Sequence, residues 1–228
     1  MKIRFAQIAL LTALTGAASA GELFFEDFDT APLIGDSEYS LSPQFQSGTT
    51  SYFLQSNTPT VVGGTTNFDN TDGGFVAGLN INANTNDPRR MTTDSFDISG
   101  SPVLQFSFDL ALHSVGSSNW DGDSRVEFEY STDAGTTWET LTTVEAASNN
   151  TAPLFEGAAI TNTFTTFTTT MGGFSGTSMQ FRVIWANLGP GDSLGLDNLQ
   201  VSAVPLPPAA VAGLGLLAGM GAYRRLRR

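Results

Sequence analysis

Residues 125–143 read RVEFEYSTDAGTTWETLTT, and this stretch decides the fold. Val126, Phe128 and Tyr130 alternate with charged residues, which is the pattern of a half-buried β-strand. A turn-forming run follows, and the threonine-rich residues after it predict a returning strand. The stretch therefore predicts an antiparallel hairpin of strands 125–131 and 137–143.

The same alternation recurs on both sides of the hairpin, whereas an amphipathic helical period does not. The clearest runs are 104–110, 179–185 and 194–201. The last run breaks phase at Asp197-Asn198. Weaker candidates are 23–28, 52–54, 74–81 and 164–170. Many short strands without helices between them indicate a sandwich or barrel, and we expect residues 21–203 to form an all-β domain, a jelly-roll-like antiparallel β-sandwich.

Residues 131–138 fit the pattern S-x-D-x-G-x-T-W. This pattern resembles the Asp-box of sialidase-like repeats, which is a hairpin turn. Asp133 can accept hydrogen bonds from nearby amides, Gly135 can adopt a positive φ, and Trp138 can pack beneath the turn. The box repeats in each blade of a propeller but occurs once here, so the resemblance implies a structural turn and no sialidase activity.

The charge of the chain is divided between its ends and its body. All 22 acidic residues lie between residues 21 and 203, where only four arginines accompany them, so the body carries a net charge of −18. An acidic body repels nucleic acid and anionic lipid, and it suits cations or neutral sugars. The chain has no cysteine, which excludes a disulfide scaffold and thiolate chemistry.

The first twenty residues have the pattern of a secretory signal peptide. Lys2 and Arg4 precede a short apolar run at 8–14, and Ala18-Ser19-Ala20 forms a small-residue cleavage site. The apolar run is too short to span a bilayer comfortably. We therefore expect signal peptidase to cleave after Ala20 and the body to be exported.

The chain ends in a proline-containing box, an apolar run from Ala209 to Tyr223 and a basic cluster. The box is Val204, Pro205, Leu206, Pro207 and Pro208, and the cluster is Arg224, Arg225, Arg227 and Arg228. As a helix, the apolar run would measure about 22 Å, somewhat short of the roughly 30 Å hydrocarbon core. The arginines should stay on the cytoplasmic side, which leaves the acidic body outside.

This layout resembles the PEP-CTERM class of sorting signals, in its VPLPA-type variant. The resemblance covers about the last 25 residues, and Pro208 stands where the family usually has alanine. It implies processing by an exosortase-type transpeptidase, transient anchoring in the inner membrane, surface delivery and association with exopolysaccharide or biofilm matrix. The alternative is an unprocessed C-terminal membrane anchor.

Carboxylates at several points of the body predict a calcium site. The expected ligands are Glu26, Asp27, Asp121, Asp123 and Asp197. Calcium takes six to eight oxygen ligands at about 2.3–2.6 Å, so carboxylates that converge from separate loops have the right chemistry. The pairing of an early Phe-Glu-Asp-Phe with a late Leu-Asp-Asn-Leu resembles jelly-roll carbohydrate-binding and lectin-like modules, whose first and last strands often share a structural calcium. The alternative is that these acids are solvated turn residues and caps.

Three tryptophans are candidates for stacking on sugar rings, because aromatic faces suit the apolar faces of pyranoses. The hairpin and strand patterns place Trp138 and Trp185 in the core. Trp120 stands beside Asp121 in a polar loop, and we predict it as the ligand-binding residue, with burial in the core as the alternative.

Catalytic candidates are few. His113 is the sole histidine, and the sequence has no zinc motif. A carboxylate pair for glycoside hydrolysis is defined by a separation in space that a sequence does not show. We therefore expect a non-catalytic, calcium-stabilised module that binds polysaccharide or gives structure to the matrix. The alternatives are a secreted glycan-active hydrolase or lyase, and a structural surface protein without a ligand.

Overall fold

A computed structural model describes residues 21–29, 39–47, 51–56, 60–61, 66–68, 73–81, 88–112, 120–149, 151–189 and 191–205. The predicted signal peptide, His113 and the tail from Leu206 to Arg228 lie outside these ranges. Residues Gly21–Val204 form one compact unit. Within the described ranges, no helix is long and apolar enough to cross a membrane.

The described structure is built from β-strands. They are β1 (Glu22–Glu26), β2 (Tyr39–Leu41), β3 (Phe45–Ser47), β4 (Ser51–Ser56), β5 (Thr60–Val61), β6 (Thr66–Asn67), β7 (Phe75–Leu79), β8 (Arg89–Thr93), β9 (Phe96–Asp97), β10 (Val103–Ala111), β11 (Arg125–Ser131), β12 (Glu139–Ala146), β13 (Pro153–Phe155), β14 (Ala158–Ala159), β15 (Thr165–Gly172), β16 (Ser178–Ala186) and β17 (Ser193–Ala203).

These strands form two large antiparallel sheets. The first sheet has the order β15-β10-β17-β7-β4-β3, with β1 also paired to β17. The second has the order β14-β13-β12-β11-β16-β8-β2, with β9 also paired to β16. A small hairpin of β5 and β6 stands apart. The predicted all-β, jelly-roll-like sandwich is confirmed, and its hairpin of β11 and β12 agrees with the predicted strands to within three residues.

Phenylalanines from both sheets fill the space between them. Phe108 of the first sheet stacks on Phe128 of the second with ring centroids 4.5 Å apart, and Phe106 meets Phe181 at 5.6 Å. Trp185 is fully buried in the same core, as its strand pattern predicts. The alternation of residues along β10, β11 and β16 therefore sets how the sandwich closes.

A second, smaller apolar cluster covers part of the outer side of the first sheet. It consists of Tyr52, Phe68, Phe75, Ala77, Leu79, Ala111 and Phe164. Gly195 of β17 lies beneath it, since a Cβ there would stand 2.9 Å from Phe164 and 3.0 Å from Phe68. This end of the first sheet is thus covered on both sides.

Candidate functional site

The last strand, β17, is paired along both edges except at one point. One edge pairs with β10, and the other is shared between β7, at residues 193–196, and β1, at residues 199–202. The register with β10 slips between Ser107 and Asp109, which places an extra residue on β17. Asn198 has a positive φ of 47° at this β-bulge. The phase break that the sequence shows at Asp197-Asn198 is therefore this bulge, located between the ends of β1 and β7.

Asp197 is buried at the bulge, with only 2% of its surface exposed. Its Oδ1 accepts a hydrogen bond from the backbone N–H of Asn198 at 2.7 Å, and the Asn198 amide donates to Asp109 Oδ2 at 3.0 Å. Burial raises the pKa of Asp197 to about 7, and the negative charges of Asp109, Asp29 and Asp27 add to the rise. These four aspartates form the carboxylate junction.

The segment after β1 brings two of these aspartates to the junction. Asp27 Oδ1 accepts from the N–H of Asp29 at 3.1 Å, and Asp29 Oδ1 accepts from the N–H of Gly74 at 2.7 Å. A Cβ at Gly74 would overlap the carbonyl oxygen of Phe28, so the close approach requires glycine. The carbonyl of Phe28 also accepts from Gln55 Nε2 at 2.6 Å. This segment is therefore held by hydrogen bonds to β4 and to the start of β7.

Glu26 was predicted as a ligand, but it is not among the charges that raise the pKa of Asp197. Its Oε1 accepts from the N–H of Phe28 at 2.8 Å. Burial of Tyr39 raises the pKa of its hydroxyl, and the negative charge of Glu26 adds to that rise. Of the five predicted ligands, Asp27 and Asp197 belong to the junction; Asp29 stands in the same acidic run of the sequence as Asp27, and Asp109 is the member that the sequence did not indicate.

The carboxylate junction has the donor chemistry of a calcium site. Its carboxylates come from the segment after β1, from β10 and from β17, and in the described part of the chain no arginine pairs with them. Yet no three acidic, histidine or cysteine side chains of the described residues are grouped closely enough to hold a metal ion. The carboxylates of the described residues therefore do not form a metal site by themselves, and other oxygen ligands would have to complete one.

Asp121 and Asp123 lie in a different place, beside the buried Asp192. Asp192 Oδ2 accepts from Ser124 Oγ at 2.6 Å, from Gly189 N–H at 3.0 Å and from Asp121 N–H at 3.3 Å. Burial raises the pKa of Asp192, and its Oδ1 has no hydrogen-bond partner within the described ranges. Asp192 and Asp197 are five positions apart on an extended strand, which corresponds to about 16 Å. Asp121 and Asp123 are therefore remote from the carboxylate junction.

The prediction that Trp120 binds ligand is wrong. Trp120 is 1% exposed and belongs to the main core, where it forms an isolated bridge with Thr151. A ring without exposed surface cannot stack on a sugar. Trp138, expected in the core, is half-buried instead, and the guanidinium of Arg182 lies 4.0 Å from its ring centroid.

The Asp-box turn forms as its sequence predicts. Asp133 accepts from the Thr137 N–H at 2.8 Å and from the hydroxyls of Thr137 and Ser131 at 2.7 Å. These hydrogen bonds, led by the Thr137 backbone, lower the pKa of Asp133 to about 2. Gly135 has a φ of 80°, and its carbonyl accepts from Trp138 Nε1 at 3.0 Å. The box is a structural turn at the exposed end of the hairpin.

Residues 191–195 read G-D-S-L-G, a match to the G-x-S-x-G pattern of a nucleophile elbow. The elbow requires a strand-to-helix turn that exposes the serine. Here Ser193 is 1% exposed, opens strand β17 and pairs with Leu79. Ser193 is therefore not placed as the nucleophile of such an elbow.

The two antiparallel sheets define a jelly-roll-like β-sandwich module, and the carboxylate junction lies in its first sheet. The family model for Reelin subrepeat B matches residues 66–199, more than half of the chain, and the protein belongs to this family. No curated protein matches the sequence significantly.

Several solved structures resemble the chain at low sequence identity. They include a Stig cyclase from Fischerella sp. TAU, which is 16% identical. The alignment covers 83% of this chain and 100% of the cyclase chain, with a TM-score of 0.49. The xylan-binding CBM22-1 domain of Paenibacillus barcinonensis Xyn10C has 9% identity over 82% of this chain and 97% of its own, with a TM-score of 0.42. The mannan-recognising module TmCBM27 has 12% identity over 82% and 99%, with a TM-score of 0.42. At such identities the likeness concerns the fold alone.

Proposed function

We propose that the body of this protein is a calcium-stabilised, non-catalytic module that binds polysaccharide outside the cell. The observation that supports it is the carboxylate junction, where Asp109, Asp29 and Asp27 lie near enough to the buried Asp197 to raise its pKa and no arginine of the described chain pairs with them. A buried carboxylate among like charges is costly unless it is protonated or a cation compensates its charge. Bound calcium would supply that compensation and would tie β1 to β17.

The calcium part is tested by thermal unfolding of the purified protein with calcium and with chelator. At a hundredfold excess over Kd, a ligand of the folded state adds about 2.7 kcal/mol, which corresponds to a rise in Tm of roughly 5–11 °C for a domain of this size. Asp197→Asn should abolish the rise. With chelator this variant should be at least as stable as the wild type, because it keeps the acceptor for Asn198 and removes a buried charge.

Asp123→Asn is the matched control, since Asp123 is exposed and lies near Asp192, remote from the junction. It should keep the full calcium response. An unchanged Tm of the wild type on adding calcium, or a response lost in Asp123→Asn and kept in Asp197→Asn, would reject the junction as the site.

The polysaccharide part rests on the charge and position of the basic residues. The four arginines of the body lie in β8, β11 and β16, all in the second sheet, and Arg125 and Arg182 pair with Glu127 and Glu129. Because the body is acidic and its arginines all lie in the second sheet, it favours a neutral partner over an anionic one. The test is retention of the protein on the host's own exopolysaccharide, with calcium and with chelator. We expect saturable binding that chelator weakens.

A glycan hydrolase is the second candidate, because Asp197 has a raised pKa and stands near Asp109, as the acid and base of a glycosidase do. Asp197 is nearly inaccessible, however, so its proton cannot reach a glycosidic oxygen without opening of the bulge. Release of oligosaccharides by the wild type, lost in both Asp197→Asn and Asp109→Asn, would establish hydrolysis and overturn the non-catalytic assignment.

Export and tail sorting complete the proposal. They rest on the signal-peptide pattern of residues 1–20 and on the box, apolar run and arginine cluster of residues 204–228. Mass spectrometry of the native protein should find Gly21 at the N-terminus and a C-terminus that has lost Arg228. A native protein that retains Arg228 would instead be an unprocessed, membrane-anchored form.

A further inference from the structure

A straight row of side chains crosses four strands on the outer side of the first sheet. Phe25 of β1 pairs with Gln200 of β17, Gln200 with Ser107 of β10, and Ser107 with Thr168 of β15. Their chain neighbours, among them Phe24, Val201 and Phe167, face the main core. The four side chains, here called the Phe25 strip, therefore point outward. With strands about 4.8 Å apart, the strip is roughly 14 Å wide.

The row beside the strip has the same chemistry. It consists of Glu22, Ser202, Gln105 and Thr170. Glu22 Oε2 accepts from Gln200 Nε2 at 2.7 Å, which fixes the plane of that amide and leaves its Oε1 free of this bond. Hydroxyls and an oriented amide can both donate to and accept from sugar hydroxyls. Glu22 thus prepares Gln200 for directional hydrogen bonding.

Among the described residues, Phe25 is the large hydrophobic side chain that is exposed, with 42% of its surface accessible to solvent. The outer side near Gly195 is covered by Phe68 and Phe164, whereas in the described part of the chain neither apolar cluster includes Phe25. An aromatic ring beside hydroxyl and amide groups matches the apolar face and the hydroxyls of a pyranose ring.

Charge narrows the choice of partner. The strands of the first sheet contain no lysine or arginine, and Glu22 and Asp109 stand on the outer side beside the strip. A phosphate, sulfate or uronate would find no cationic side chain on these strands to pair with. A neutral chain of sugars fits both the charge and the hydrogen-bonding groups.

We infer that the Phe25 strip is the platform on which this module binds a neutral polysaccharide. Phe25 stacks on a sugar ring, and Gln200, Ser107 and Thr168 bond to the hydroxyls of the rings along the strip. The inference rests on the proposed function and specifies its binding surface and the class of glycan.

Affinity electrophoresis of the purified protein in gels containing dextran, galactomannan or laminarin tests the platform, with anionic alginate as the counter-probe. Phe25→Ala should weaken binding to the retained neutral glycan about tenfold, and Thr168→Val should weaken it severalfold. Thr140→Val removes an exposed hydroxyl from β12 in the second sheet and is the matched control, with binding unchanged. Thr168→Val and Thr140→Val should keep the wild-type Tm, because both side chains are exposed, and all three variants should keep the calcium response.

The outcomes separate the platform from the function. If the wild type binds a neutral glycan and both strip variants bind equally well, the platform is wrong while polysaccharide binding stands. If alginate is retained in preference to the neutral glycans, the partner class is wrong. If the wild type is retained by none of the four but binds the host's own exopolysaccharide, the assigned class of glycan is wrong while polysaccharide binding stands. If it binds neither the four glycans nor the exopolysaccharide, the proposed polysaccharide binding fails and the platform fails with it.

Discussion

At the residue scale, the sequence predicts best where a side chain bonds within its own turn. The Asp133 hydrogen bonds lie within six residues of one another, so the spacing of the Asp-box was enough to predict them. Trp120 failed because its burial depends on a bridge to Thr151, which no local pattern reveals. Asp109 was missed for a similar reason: along β10 it is one more outward polar residue, and only the register with β17 places it beside Asp197.

The Asp133 turn gives the domain a component of stability that depends on pH. Its folded pKa of about 2 lies below the ordinary 3.8, so the unfolded chain binds the proton more readily. The stabilisation is fully present above the ordinary pKa and is lost as the pH falls through about 2. Asp133→Asn should therefore lower Tm at pH 7 and flatten its decline between pH 4 and pH 2. Asp94→Asn, at an exposed position elsewhere, should follow the wild type in the same scan.

At the element scale, the long alternating strands were predictable and the short ones were not. The runs behind β10, β11, β16 and β17 each present several alternating residues, which fixes both their type and their buried face. β2, β9 and β14 have two or three residues, too few for a period to show. The bulge was visible as a phase break, but its role became clear only from the positions of β1 and β7 along the same edge of β17.

The approach of Gly74 to Phe28 is the contact that positions the segment carrying Asp27 and Asp29. In Gly74→Ala the added Cβ would meet a backbone carbonyl, which cannot turn away as a flexible side chain can. We expect a loss of about 1–3 kcal/mol in the free energy of unfolding, together with a smaller rise of Tm on adding calcium. Gly21→Ala is the control, because a Cβ at Gly21 would meet open space. Equal denaturant midpoints for the two variants would show that the segment moves freely.

At the scale of the whole molecule, the two sheets share one core and should unfold together. Phe108 and Phe128 come from different sheets and stack at 4.5 Å, and Phe155 packs against both. Phe128→Ala would open a cavity between the sheets and should cost about 3–5 kcal/mol, with one cooperative transition by both fluorescence and circular dichroism. Phe25→Ala removes the same side chain from the outer side, where 42% of its surface is exposed, and should cost clearly less than Phe128→Ala. Two separate transitions in Phe128→Ala would mean that each sheet folds with its own covering cluster, and the apolar group around Phe68 and Phe164 would then be a core in its own right.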